Sequence, residues 1–225
     1  MVTELSPPNQ ILINGKVAGS STDIVNHVLQ EADIESHIRV YPWARAFHIA
    51  KRMPNTLIYS VAKTPERESQ FHWLGKVAYF RLGFVSLTQR DDIKINKFED
   101  AKAYRIAVQR GDISALYLAE KQFAIVETTD IKQSYQLLIS KKVDLVIDDP
   151  QYINSMSQHF NLAPTQLSFI KAIDDLSVYG YLAANKDTDP QLIKRLQKAF
   201  EIVEKTSWYQ QKLLNPYYNI EAFND

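Results

Sequence analysis

Thr56-Leu57-Ile58-Tyr59-Ser60-Val61, followed after Ala62 and Lys63 by Thr64-Pro65-Glu66-Arg67, is the stretch that decides the fold class. Its first six residues are the β-branched, aromatic and aliphatic types that fit a buried strand. The turn after them places one guanidinium at the mouth of a βα connection, where ligand sites in α/β proteins gather. An arginine there can grip a carboxylate through two parallel hydrogen bonds. About eighty residues on, Lys142-Val143-Asp144-Leu145-Val146-Ile147-Asp148-Asp149 closes a second β-rich run with a pair of carboxylates. A chain that folds back offers Arg67 and Asp149 to opposite ends of one zwitterion, which points to an amino-acid-like ligand.

Outward from this stretch the chain alternates strand and helix. Val2 to Leu5 and Ile11 to Ile13 read as short strands around Pro7-Pro8, and Asn14-Gly15 is a tight hairpin signal. Ser20 to Asp23 caps a helix running to about Ala32, with Ile24, Val25, Val28 and Leu29 on its apolar face. Ile38 to Tyr41 is a strand, and Trp43 to Arg52 a helix. After the Arg67 turn, Val77 to Leu87 reads as extended chain, with Gly83 near a crossover. A second βαβ series follows, with strands at Arg105 to Val108, Ala124 to Val126 and Leu145 to Ile147, and helices at Ser114 to Lys121 and Ile131 to Ser140. Pro150 to Phe160 reads as helix, Leu167 to Ile170 and Ser177 to Ala183 as strands, and Pro190 to Lys205 as a helix with proline at its start. The expected class is therefore α/β with two lobes, the second inserted into the first: residues 1–80 and 182–225, and residues 81–181. Two connecting hinge strands and a ligand cleft between the lobes follow from that order.

Bulk composition narrows the function classes. With 225 residues, 45% hydrophobic and 23% charged, the chain can bury one large core or two modest ones. Lys plus Arg and Asp plus Glu both number 26, which removes the electrostatic footprint of a nucleic-acid binder. No apolar run approaches the roughly 18 residues needed to cross a bilayer. Met1 stands directly on Val2-Thr3-Glu4-Leu5, which reads as the middle or end of a first strand, so a removed leader is expected ahead of it. The absence of cysteine excludes disulfide and thiolate chemistry only. His27, His37, His48, His72 and His159 fall in unrelated segments without metal-ligand pairing, and no P-loop, nucleophile elbow or dinucleotide fingerprint is present. Neither a metal nor a cofactor is expected.

Each candidate side chain has a plainer structural reading beside the functional one. Arg67 could pair on the surface with Glu66 or Glu68. The Asp148-Asp149 pair could cap the helix after Pro150. Ser60 could be a satisfied buried hydroxyl, and Trp43 could be packing rather than a stacking surface. Asp112, after Gly111 at a strand-to-helix turn, either caps the helix or faces a ligand bearing extra positive charge. Tyr179 and Tyr181, with Tyr79 and Phe80, read as connector and cleft-wall residues.

Several segments in order carry a resemblance: Gly15-Lys16-Val17-Ala18-Gly19 with Thr22-Asp23, Pro42-Trp43-Ala44-Arg45, Thr64 to Arg67, Arg105 to Asp112, Lys142 to Asp149, and Leu182 to Asp187. Together they resemble the extracytoplasmic solute-binding proteins of polar amino-acid ABC transporters, the family 3 solute-binding proteins, over nearly the whole chain. The resemblance implies a non-catalytic, monomeric periplasmic protein that closes on an amino-acid-like solute and delivers it to a transporter permease. By it Arg67 holds the ligand carboxylate, Asp149 the ammonium, Ser60 adds a polar contact, and Trp43, Ala62, Asp112 and Tyr181 complete the ligand-binding set. Two departures stand out. Asp112 replaces the family's usual Thr or Ser, and Pro7-Pro8-Asn9-Gln10 lacks the aromatic that relatives often place there. The same scaffold also occurs in cyclohexadienyl dehydratases and in ligand-sensing modules of signalling systems, which are the alternative readings.

Overall fold

In the computed structural model, residues 1–214 are described; the expected continuation of the first lobe through residues 215–225 lies outside them. The chain divides into two compact units, one made of Met1–Tyr79 with the described residues from Tyr179 onward, the other of Phe80–Val178.

The first unit opens with strand β1 (Val2–Thr3) and the hairpin strands β2 (Ile11–Ile13) and β3 (Lys16–Ala18). Asn14 at φ 49 and Gly15 at φ 75 form the hairpin's two-residue turn, a conformation that Asn-Gly adopts at low cost. Helix α1 (Ser20–Glu31) starts at Gly19, whose φ of 113 excludes other residues in practice. A Cβ there would also fall 2.6 Å from the Pro8 carbonyl. Strand β4 (Arg39–Val40), helix α2 (Trp43–Arg52), strand β5 (Leu57–Ala62) and the one-turn helix α3 (Pro65–Glu68) follow, then the long strand β6 (Phe71–Leu87). Strand β1 lies parallel to both β4 and β5. β6 leaves the first unit after Tyr79 and carries the chain into the second.

The second unit contains a 3-10 turn at Phe98–Ala103, then β7 (Ile106–Gln109), α4 (Ile113–Glu120), β8 (Ile125–Thr128), α5 (Ile131–Ile139), β9 (Leu145–Asp148) and α6 (Ile153–His159). Strand β7 pairs in parallel with β8 and β9, while β6 runs antiparallel to β9 with Gly83 opposite Asp148. Strand alternation splits the core. Ile106, Val108, Leu145 and Ile147 pack with Ala115 and Leu118 of α4, and Ala107 and Val146 pack with Tyr135, Leu138 and Met156 of α5 and α6.

Strand β10 (Leu167–Asn185) returns the chain to the first unit, where α7 (Pro190–Val203) and α8 (Ser207–Leu214) complete it. Asp189 caps α7 by accepting the Gln191 N–H, ahead of Pro190 at the first helical position. Within this unit β10 runs antiparallel to β5. One sheet face packs Tyr59 and Leu182 against Ile24, Val28, Leu196, Phe200 and Tyr209 of α1, α7 and α8. The other packs Ile58, Val61 and Ala183 against Trp43, Ala46 and Ala50 of α2.

The largest departures from the sequence reading concern three elements, and α6 also starts three residues later than expected, at Ile153. β10 is one strand of 19 residues rather than two short ones, because Ile173 and Leu176 remain buried while only the adjacent Asp174 and Asp175 turn to solvent. β6 begins six residues earlier than expected, at Phe71, itself a core residue. Helix α8 was not anticipated; Tyr209 and Leu213 anchor it on the α1 and α7 core, a tertiary contact that local pattern does not reveal.

Candidate functional site

In the first unit the candidate residues converge on the carboxyl end of β5. The β5 and β10 ladder pairs Gly180 with Ala62 and Tyr181 with Val61, but Ala183 with Ile58, so the register slips by one between them. Leu182 therefore faces two residues, Tyr59 and Ser60, which makes a β-bulge on β5. Ser60 takes the extra position with φ 62, a left-handed conformation that a serine occupies only where its surroundings enforce it. Its hydroxyl accepts a hydrogen bond from Gln10 Nε2, and the same nitrogen reaches Thr3 Oγ1 at 3.3 Å.

Past Ala62 the chain turns into α3, whose single turn is set by Pro65 at its start. Arg67 is only 4% exposed, so it is not a solvated surface arginine. Glu68, one of its expected surface partners, instead pairs with Lys63 at 2.9 Å. The Arg67 Nη1 donates to the Ala62 carbonyl at 3.4 Å, tying the guanidinium back to the strand end. Its Cζ stands 4.9 Å from the Phe47 ring centroid and 5.7 Å from that of Trp43, within cation–π range of both.

Trp43, buried at the start of α2, opens a line of aromatic rings. Centroids are 5.7 Å apart for Trp43 and Phe47, 5.5 Å for Phe47 and Phe71, 5.8 Å for Phe71 and Trp73, and 5.7 Å for Trp73 and Tyr181. The fold thus joins Arg67, Trp43 and Tyr181, three candidates from distant segments, through Phe47, Phe71 and Trp73, which the sequence reading did not select. The signal was present in part: Trp43 and Phe47 are four apart on a helix, and Phe71 and Trp73 two apart on a strand.

In the second unit the carboxyl ends of β7 and β9 bring acidic groups together. Asp148 and Asp149 are both buried, at 4% and 1% exposure. Asp148 Oδ2 accepts from the Tyr135 hydroxyl at 2.8 Å and its Oδ1 from the Asp149 N–H at 2.8 Å. Burial pushes its carboxyl up to about 8, with the charges of Asp149 and Asp112 adding to the rise. Asp149 accepts from the backbone N–H groups of Arg81 and Gln151, the latter at 2.9 Å. Burial raises its carboxyl as well, and those two donors oppose the rise. The pair does not cap a helix: α6 starts at Ile153, with Tyr152 before it. Asp112 does cap one, since its Oδ1 accepts the Ala115 N–H at 2.8 Å at the start of α4, and Gly111 at φ 73 makes the turn before it. Among the described residues no group of three His, Cys, Asp or Glu side chains is arranged to hold a metal ion, and no helix is long and apolar enough to cross a membrane.

A buried guanidinium on an aromatic surface suits a carboxylate, and buried carboxylates with fixed donors suit an ammonium. Residues 1–219 match the family model described as bacterial extracellular solute-binding proteins, family 3. No curated protein sequence matches the chain. Among solved structures, the chain is similar to an ancestral arginine-binding protein bound to arginine, at 18% identity and TM-score 0.80, covering 96% of each chain. It is similar to an arginine transport periplasmic binding protein from Legionella pneumophila, at 20% identity and TM-score 0.79, covering 96% of this chain and 97% of that one. It is also similar to a histidine kinase sensor domain with similarity to periplasmic binding proteins, at 19% identity and TM-score 0.79, covering 94% and 92%. Likeness at this level of identity gives the fold, the two-lobed α/β fold of periplasmic binding proteins.

Proposed function

Since the chain belongs to the family 3 bacterial extracellular solute-binding proteins, we propose that it binds a small polar solute, an amino acid or a close analogue, and hands it to an ABC transporter in the extracytoplasmic space. Arg67 takes the carboxylate, Asp149 the ammonium, and the ligand closes the first unit on the second. The observation that carries this reading is the guanidinium of Arg67, buried against Trp43 and Phe47 at the carboxyl end of β5. Ser60, Ala62 and Tyr181 add contacts in the first unit and Asp112 in the second. The role is non-catalytic, the protein acts as a monomer, and its partner is a transporter permease.

Calorimetric titration with the common L-amino acids tests the reading. At least one binds, and Arg67→Ala weakens it by about 2 to 5 kcal/mol, the cost of truncating one partner of a buried charge pair. Unchanged affinity in that variant contradicts the assignment. A second reading, the ligand-sensing module of a signalling system, draws support from the likeness to the histidine kinase sensor domain. Adjacent permease and ATPase genes favour transport, and an adjacent kinase gene favours sensing.

A further inference from the structure

One side chain beside this site has no part in the binding reading so far. Gln10 follows Pro7-Pro8-Asn9 and is completely buried, which is unusual for a long polar side chain. Its Nε2 donates to Ser60 Oγ and to Thr3 Oγ1, while its Oε1 is buried with no hydrogen-bond partner. A buried amide kept only for stability would be satisfied at both atoms. Thr3 settles which way the amide points. Its hydroxyl donates to the Glu4 carbonyl at 3.4 Å and also bonds the Tyr59 hydroxyl, so toward Gln10 it offers a lone pair. The one amide atom that meets both hydroxyls is therefore the NH2.

It follows that Ser60 Oγ is an acceptor in this contact, and its single proton remains for another acceptor. Ser60 is half-buried, stands at the β5 bulge, and holds φ 62. Two residues on, the Ala62 carbonyl receives Arg67 Nη1, so the hydroxyl and the guanidinium are fixed to the same strand end. We propose that Gln10 is a positioning residue: by occupying the lone pair of Ser60 it turns the Ser60 O–H toward a carboxylate oxygen of the ligand, next to the charge of Arg67. This inference rests on the amino-acid-binding reading and assigns the donor geometry at its carboxylate end.

A double-mutant cycle separates positioning from simple packing. L-arginine, L-glutamine and L-glutamate are titrated calorimetrically into the wild-type protein, Gln10→Met, Ser60→Ala and the double variant, each first checked for a cooperative melt. For the tightest of the three, Gln10→Met and Ser60→Ala each weaken binding roughly tenfold, the scale of one hydrogen bond to a charged group. The double variant is no weaker than Ser60→Ala alone. Gln10→Glu, whose carboxylate draws the Ser60 proton inward, weakens binding at least as much as Gln10→Met and replaces it in the cycle if Gln10→Met does not fold. Equal losses from Gln10→Met in both backgrounds, or none in either, overturn the inference and leave the binding role standing. A wild-type protein that binds none of the three overturns both.

Discussion

Asp148→Asn should make the protein more stable as pH rises. Asp148 is fully enclosed in the second unit, with Oδ1 taken by the Asp149 N–H and Oδ2 by Tyr135. Its folded-state value of about 8 lies far above the unfolded value near 3.9. Between those limits the folded state keeps a proton that the unfolded state releases, so stability is fully present below about pH 4 and declines as pH approaches 8. The slope is at most ~1.4 kcal/mol per pH unit, which sets a ceiling of about 6 kcal/mol across the window and an expectation of a few kcal/mol after relaxation. Asparagine reproduces the shape of the neutral acid, with its oxygen on the Asp149 N–H and its NH2 on the Tyr135 oxygen. The variant should match the wild type near pH 4.5 and exceed it by about 2 kcal/mol or more at pH 8. Urea unfolding at both pH values measures this, and every other titrating group cancels in the comparison. All three tryptophans, Trp43, Trp73 and Trp208, belong to the first unit, so far-UV circular dichroism must accompany fluorescence to see the second unfold. Parallel stability curves for the two proteins from pH 4.5 to 8 would refute the claim that Asp148 is held neutral.

Other outcomes follow from the same structure. Asp144 accepts from Arg90 Nη1 at 2.8 Å and Arg105 Nε at 3.0 Å, which hold its carboxyl below the ordinary range, so its stabilisation exists above about pH 4 and fades in acid. Asp144→Asn should cost about 2 kcal/mol at pH 7 by urea unfolding, and the cost should shrink progressively as pH is lowered below about 4. Gly19→Ala should cost about 2 kcal/mol or more in a thermal melt, since a Cβ meets the Pro8 carbonyl and φ 113 is hostile to any side chain. Arg67→Lys should keep the charge yet lose most ligand affinity in calorimetry, because an ammonium cannot supply the planar two-point grip.

Much of this was legible in the sequence where a local pattern and its tertiary setting agree. The mixed α/β class followed from strands such as Leu57–Ala62 and Leu145–Asp148 alternating with capped helices, and the Asn14-Gly15 hairpin followed from its turn chemistry. The full length of β10 was hidden because Asp174-Asp175 reads locally as a break, while Ile173 and Leu176 on either side of it stay buried within one continuous strand. At the site, Arg67 was visible because an arginine after a strand in a βα unit is an exceptional placement. Gln10, Phe47 and Trp73 were not, since their importance lies in partners 50, 24 and 108 residues away: Ser60 for Gln10, Phe71 for Phe47, and Tyr181 for Trp73. The bulge that sets Ser60 apart depends on the β10 register, which no local signal encodes.

The central claim is that a fixed cation, Arg67, and a fixed anion, Asp149, recognise the two ends of one amino acid. Its most direct measurement is calorimetry on the tightest-binding amino acid beside its carboxamide and its N-acetyl derivative. The account predicts that each derivative binds at least about a hundredfold more weakly, the cost of leaving a buried charge without its partner. Affinities for both derivatives within a few-fold of the parent amino acid would contradict it.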